Sequence, residues 1–115
     1  MQLMVAISLA LNILVLVPVA SSLLLQLSWT EAAYGPRTPA RGILLSIFLA
    51  ILALSAALLF VPRPELVLPL LGVQILYKVT TPFTVGSMRN PVVVSNLGIA
   101  AVHAVTVWTI WPAFI

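Results

Sequence analysis

The chain has 115 residues, of which 63% are hydrophobic and only 6% charged, with a mean hydropathy of +1.24 and a net charge of +3. Soluble domains carry about 25% charged residues, so the composition excludes a water-soluble fold and makes the bilayer the solvent for most of the chain. There is no cysteine, which removes disulfides, thiolate metal sites and cysteine nucleophiles, and the five basic residues are spread over separate loops and form no patch for nucleic acid.

The pattern predicts an all-α integral membrane protein of one domain, residues 1–115. Four transmembrane helices are expected, forming two antiparallel hairpins in a compact bundle. The first span is placed at residues 3–29. Its apolar run, Leu3 to Leu27, exceeds the roughly 7–15 residues of a signal-peptide core, so it is read as a retained span. Pro18 should kink it, with Ser21 and Ser22 placed to satisfy the freed backbone groups. Asn12 is the polar group nearest its middle, and Trp29 and Tyr34 are placed to anchor the interface.

A loop from Thr30 to Arg41 follows, with Glu31, Arg37 and Arg41. Thr38-Pro39 reads as an N-cap and first helical residue, opening a second span over residues 39–61. Ser46, Ala50, Ala53 and Ala57 form a small-residue stripe on it, a feature that lets membrane helices approach closely. The short loop Pro62-Arg63-Pro64-Glu65 makes the second and third spans an antiparallel hairpin. The third span covers residues 65–85, with Lys78 expected to snorkel to the nearer face. Asn90-Pro91 repeats the cap-and-proline signal and opens the fourth span, residues 91–111, which ends in the aromatic belt of Trp108, Trp111 and Phe114.

The basic residues Arg37, Arg41, Lys78 and Arg89 fall on one side and Arg63 on the other. The positive-inside rule then puts loops 30–41 and 82–90 in the cytoplasm and both termini outside, with Arg37, Arg41 and Arg89 as topology determinants. A prokaryotic inner membrane is the expected location. Arg37-Thr38-Pro39 and Arg89-Asn90-Pro91, each preceded by a glycine (Gly35, Gly86), echo one another and raise the idea of a parallel repeat of two hairpins.

Two constellations could carry chemistry. Asn12, Gln74 and His103 fall near the middles of their spans, and polar groups in hydrocarbon must find partners. They read either as a proton or substrate site with His103 titrating, or as plain interhelical hydrogen bonding. The second reading is preferred, because the acids are only Glu31 and Glu65, both at helix ends. The second constellation, Lys78, Arg89, Thr81, Ser87 and Asn90, lies around the start of the fourth span. It is read as an anion site, first for an anionic lipid headgroup and second for a substrate phosphate. A lone histidine could also ligate a haem or pigment, a reading that ranks behind the others, and no cofactor or metal is assigned.

Catalysis is not expected. The acids are unpaired, a single histidine gives no multi-histidine metal site, and neither a nucleophile elbow nor a phosphate-binding glycine loop occurs. In length and span count the chain resembles the small multidrug resistance transporters. That family uses a membrane-embedded glutamate in its first span, where this chain has Asn12 and no acid, so the resemblance does not extend to proton coupling. The expected function is a non-catalytic structural or accessory subunit of a membrane complex. Its expected partners are membrane lipids at the basic face and further copies or larger subunits. The alternative is a small oligomeric transporter or channel.

Overall fold

The computed structural model describes residues 2–114. The described residues form helices α1 (Leu3–Leu24), α2 (Ser28–Tyr34), α3 (Pro39–Phe60), α4 (Pro64–Val85) and α5 (Pro91–Ile110), closed by a 3₁₀ turn over Trp111–Phe114. All except α2 are long and apolar enough to cross a membrane. A 22-residue helix is about 33 Å long, against a hydrocarbon core of about 30 Å. Only 22–33% of the apolar window of each span is buried inside the bundle, so the outward faces are hydrocarbon that needs lipid as its solvent. Exposed aromatic rings mark both ends, Trp29 and Phe83 at one, Phe60, Trp108 and Trp111 at the other.

The helix starts follow the local sequence. Thr38 Oγ1 accepts the Arg41 N–H at 3.3 Å, and Asn90 Oδ1 accepts the Val92 N–H at 2.9 Å. Pro39 and Pro91 take the first helical positions, where a missing N–H loses nothing. Gly35 and Gly86 end α2 and α4 with φ of +88° and +78°, backbone that costs a residue with a Cβ. The glycine–cap–proline echo therefore has the same use at both corners.

The first helix ends at Leu24 rather than Trp29. The Leu27 N–H bonds the Ser22 carbonyl at 3.0 Å and the Gln26 N–H bonds Leu23 at 3.3 Å, with Gln26 at φ +56°. This is a Schellman closure with glutamine where glycine is usual, so the sequence carried no stop signal. The segment read as a loop from Thr30 instead contains α2, in which Thr30 Oγ1 donates to the Leu27 carbonyl at 2.6 Å.

Packing follows chain order in pairs. α1 lies against α3, α4 lies against α5, and the two hairpins join along the α1–α5 seam. Val5 and Leu9 of α1 cluster with Leu58, Val67, Leu71 and Ile110 towards one end. Leu16 and Leu23 cluster with Phe48 and Ile51 towards the other, with Tyr34 and Tyr77 packed on them. The second and third spans run antiparallel on either side of the short loop, as expected, while α3 and α4 make few contacts with each other. Arg63 is extended (φ −128°), and Val61 (φ −126°, ψ 80°) bends the chain out of α3 before Pro62. An apolar groove of about 700 Å³ remains between the two helices.

Candidate functional site

The polar side chains of the bundle form a layer between the two apolar clusters. Ser8 and Asn12 are one turn apart on α1, His103 and Thr106 one turn apart on α5, and Ser55 comes from α3. All five are buried, with His103 at 0% exposure. Asn12 Nδ2 donates to Ser55 Oγ at 3.0 Å, and Asn12 Oδ1 faces His103 Nε2 at 2.9 Å. With the amide so placed, Nε2 carries the imidazole proton and Nδ1 accepts from Ser8 Oγ at 3.0 Å. Ser8 Oγ in turn meets Thr106 Oγ1, which lies 3.1 Å from the Met4 carbonyl. Each of these groups has a partner, as low dielectric requires. Both ring nitrogens of His103 are engaged, so ligation of a haem or pigment would first have to break one of these bonds.

Of the midplane residues read from the sequence, Asn12 and His103 meet. Gln74 is buried on α4, where its Nε2 donates back to the Leu70 carbonyl at 3.3 Å. Ser8, Ser55 and Thr106 were missed. The spacing of Ser8 to Asn12 and of His103 to Thr106 puts each pair on one helix face, a signal that was legible. Ser55 offered none among the other small residues of α3.

Lys78 departs from expectation. It turns inward, 5% exposed, and its Nζ donates to Asn96 Oδ1 at 3.1 Å across the α4–α5 hairpin. The ammonium also lies 5.0 Å from the Tyr77 ring centroid, within cation–π range. A nearby amide oxygen and an aromatic ring thus replace the headgroups it was expected to reach. The Tyr77 hydroxyl is buried without a hydrogen-bond partner among the described residues.

The residues assigned to headgroup binding are divided by the fold. Thr81 Oγ1 donates to the Lys78 carbonyl at 2.7 Å on its own helix. Ser87, Arg89 and Asn90 line a cleft of about 440 Å³ together with Trp29 and Ala33. Asn90 Nδ2 donates to the Ala33 carbonyl at 2.7 Å, joining α2 to the start of α5 at one end of the bundle. The topology determinants separate likewise. Arg37 and Arg89 are exposed, whereas Arg41 is buried and donates from Nη1 to the Gly35 carbonyl at 3.0 Å and from Nη2 to Thr30 Oγ1 at 3.1 Å. Tyr34 completes the docking of α2, packing edge-on against Phe48 at 6.0 Å. Burial pushes its phenol up to about 12.

Among the described residues no three His, Asp or Glu side chains gather as a metal set would require. No family model, curated protein or solved structure matches the chain.

Proposed function

We propose that this protein is a non-catalytic structural or accessory subunit of a membrane complex, and that a transmembrane helix of a partner subunit packs into the α3–α4 groove. The observation that carries this reading is the groove itself. It is lined by Ile47, Ala50, Leu54 and Ala57 of α3 and by Leu66, Pro69, Leu70 and Val73 of α4. Apart from Arg63 and Tyr77 its walls are hydrocarbon, and Ala50 and Ala57 allow a second backbone to come close. The polar layer supports the same reading, because its members bond one another and His103 is fully buried.

The test is affinity isolation of the tagged chain from its own membranes in mild detergent, followed by native mass spectrometry. Stoichiometric larger subunits, crosslinked through a cysteine introduced at Ala57, support the proposal. A chain that elutes alone or only with copies of itself overturns it.

One observation favours the second reading, a small oligomeric transporter. Lys78 is a buried cation whose hydrogen-bond partner among the described residues, Asn96, is neutral, and ionisable groups inside membrane spans commonly mark ion or substrate paths. Loss of liposome flux in Lys78→Met and His103→Ala proteins would move the assignment there.

A further inference from the structure

A second basic cleft lies where α1 ends and α3 begins. It measures about 140 Å³ and is lined by Gln26, Arg37, Thr38, Arg41 and Gly42, with Leu23 and Leu45 below them. Water occupies about 30 Å³ per molecule, and drug-sized ligands need about 300–1,000 Å³. The cleft therefore suits one compact headgroup.

Its charge is unbalanced. Arg41 is 8% exposed, and both acceptors it meets, the Gly35 carbonyl and Thr30 Oγ1, are neutral. A guanidinium has five N–H donors, so it keeps donors in reserve. Arg37 places a second cation on the same small cleft, and no acid lines it. Two like charges held together, one of them desolvated, repel unless an anion sits between them. The first turn of α3 adds the positive end of its dipole. Planar guanidinium groups match phosphate oxygens in pairs. The leucines at the cleft floor and the exposed Leu24 and Leu25 beside it provide an apolar path for acyl chains.

We infer that the Gln26–Arg37–Arg41 cleft binds a phosphate group, supplied by the headgroup of an anionic lipid. Arg37 and Arg41 thus act as ligand donors as well as topology signals. This site is separate from the cleft at Arg89.

The test uses the full-length protein in the Arg89→Gln background, so that the neighbouring cleft does not contribute. Delipidated protein is titrated with phosphatidylglycerol, phosphatidylcholine or inorganic phosphate and read by native mass spectrometry. Arg37 is exposed and supports no other element, so Arg37→Gln keeps the helix content, which circular dichroism checks. Arg37→Gln should weaken phosphatidylglycerol binding about tenfold, the worth of one charge-assisted contact, and leave phosphatidylcholine unchanged. Equal binding of both lipids, or no effect of Arg37→Gln, overturns the inference. Displacement of phosphatidylglycerol by millimolar inorganic phosphate overturns the lipid source and makes the site one for soluble phosphate. Arg41→Lys provides a second variant, which keeps the charge but loses the planar fork, and it too should weaken phosphatidylglycerol binding.

Discussion

His103 Nε2 lies 2.9 Å from Asn12 Oδ1, joining α5 to α1 across 91 residues of sequence. The same asparagine reaches Ser55 of α3, so one side chain ties both hairpins together at mid-bundle. Asn12→Leu should cost about 1–3 kcal/mol, since it leaves His103 Nε2 and Ser55 Oγ without the amide they bond. The Asn12–His103 coupling in a double-mutant cycle should be about 0.6–1.7 kcal/mol, the range met in membrane bundles. Denaturant unfolding in mixed micelles, followed by tryptophan fluorescence, measures both. A neutral Asn12→Leu would show that the bond does not hold the hairpins.

Lys78 and Asn96 should respond asymmetrically. Asn96→Leu removes the hydrogen-bond partner of a buried ammonium and should destabilise by about 1.5–3 kcal/mol, the worth of a hydrogen bond to a charged group. Lys78→Met replaces the charge with an apolar chain of similar length and should be neutral or stabilising. If Lys78 instead reached the headgroups, Asn96→Leu would be silent in the same unfolding assay.

The two corner glycines differ from the helical ones. Gly86→Ala and Gly35→Ala force a Cβ into backbone at φ +78° and +88° and should each cost about 1–2 kcal/mol. A Cβ at Gly42, Gly72 or Gly98 meets nothing within 4 Å, so alanine there should stabilise by up to about 1 kcal/mol. Thermal unfolding of the five variants gives the comparison. Equal effects at all five would rule out the left-handed corners.

Docking of α2 should be sensitive to alkali. The phenol of Tyr34 ionises at about 12 instead of 10.0 because burial disfavours the phenolate. A folded-state value raised above the unfolded one contributes stability that is fully present below pH 10 and is lost as pH rises towards 12. With Tyr77→Phe leaving Tyr34 as the sole tyrosine, its absorbance titration should have a midpoint near 12. A midpoint near 10 would mean that α2 is not packed on Phe48.

Ala33 of α2 and Asn90 at the start of α5 meet through a hydrogen bond of 2.7 Å, so cysteines placed at Ala32 and Ser87 should label from the same side of a sealed vesicle. The count of basic residues predicts that this side is the cytoplasmic one. Neutralising Arg37, Arg41 and Arg89 together should yield molecules of both orientations in this labelling assay. Opposite-side labelling of the two cysteines in the unmodified background would break the hairpin order.

The sequence by itself determined the solvent, the number of spans and most of their ends. Those properties are local: a run of apolar residues, a threonine or asparagine before a proline, a glycine closing a helix. The one end it misplaced, at Leu24, is closed by Gln26 in a conformation that glycine normally announces. The tertiary structure decided what local chemistry could not. Whether Asn12 meets His103 while Gln74 bonds its own helix depends on the rotation of each helix about its axis and on which helices adjoin. Lys78 turns inward because Asn96 is across the hairpin. α3 and α4 make few contacts and leave a groove, since two hairpins that are each well packed do not require the open side to close.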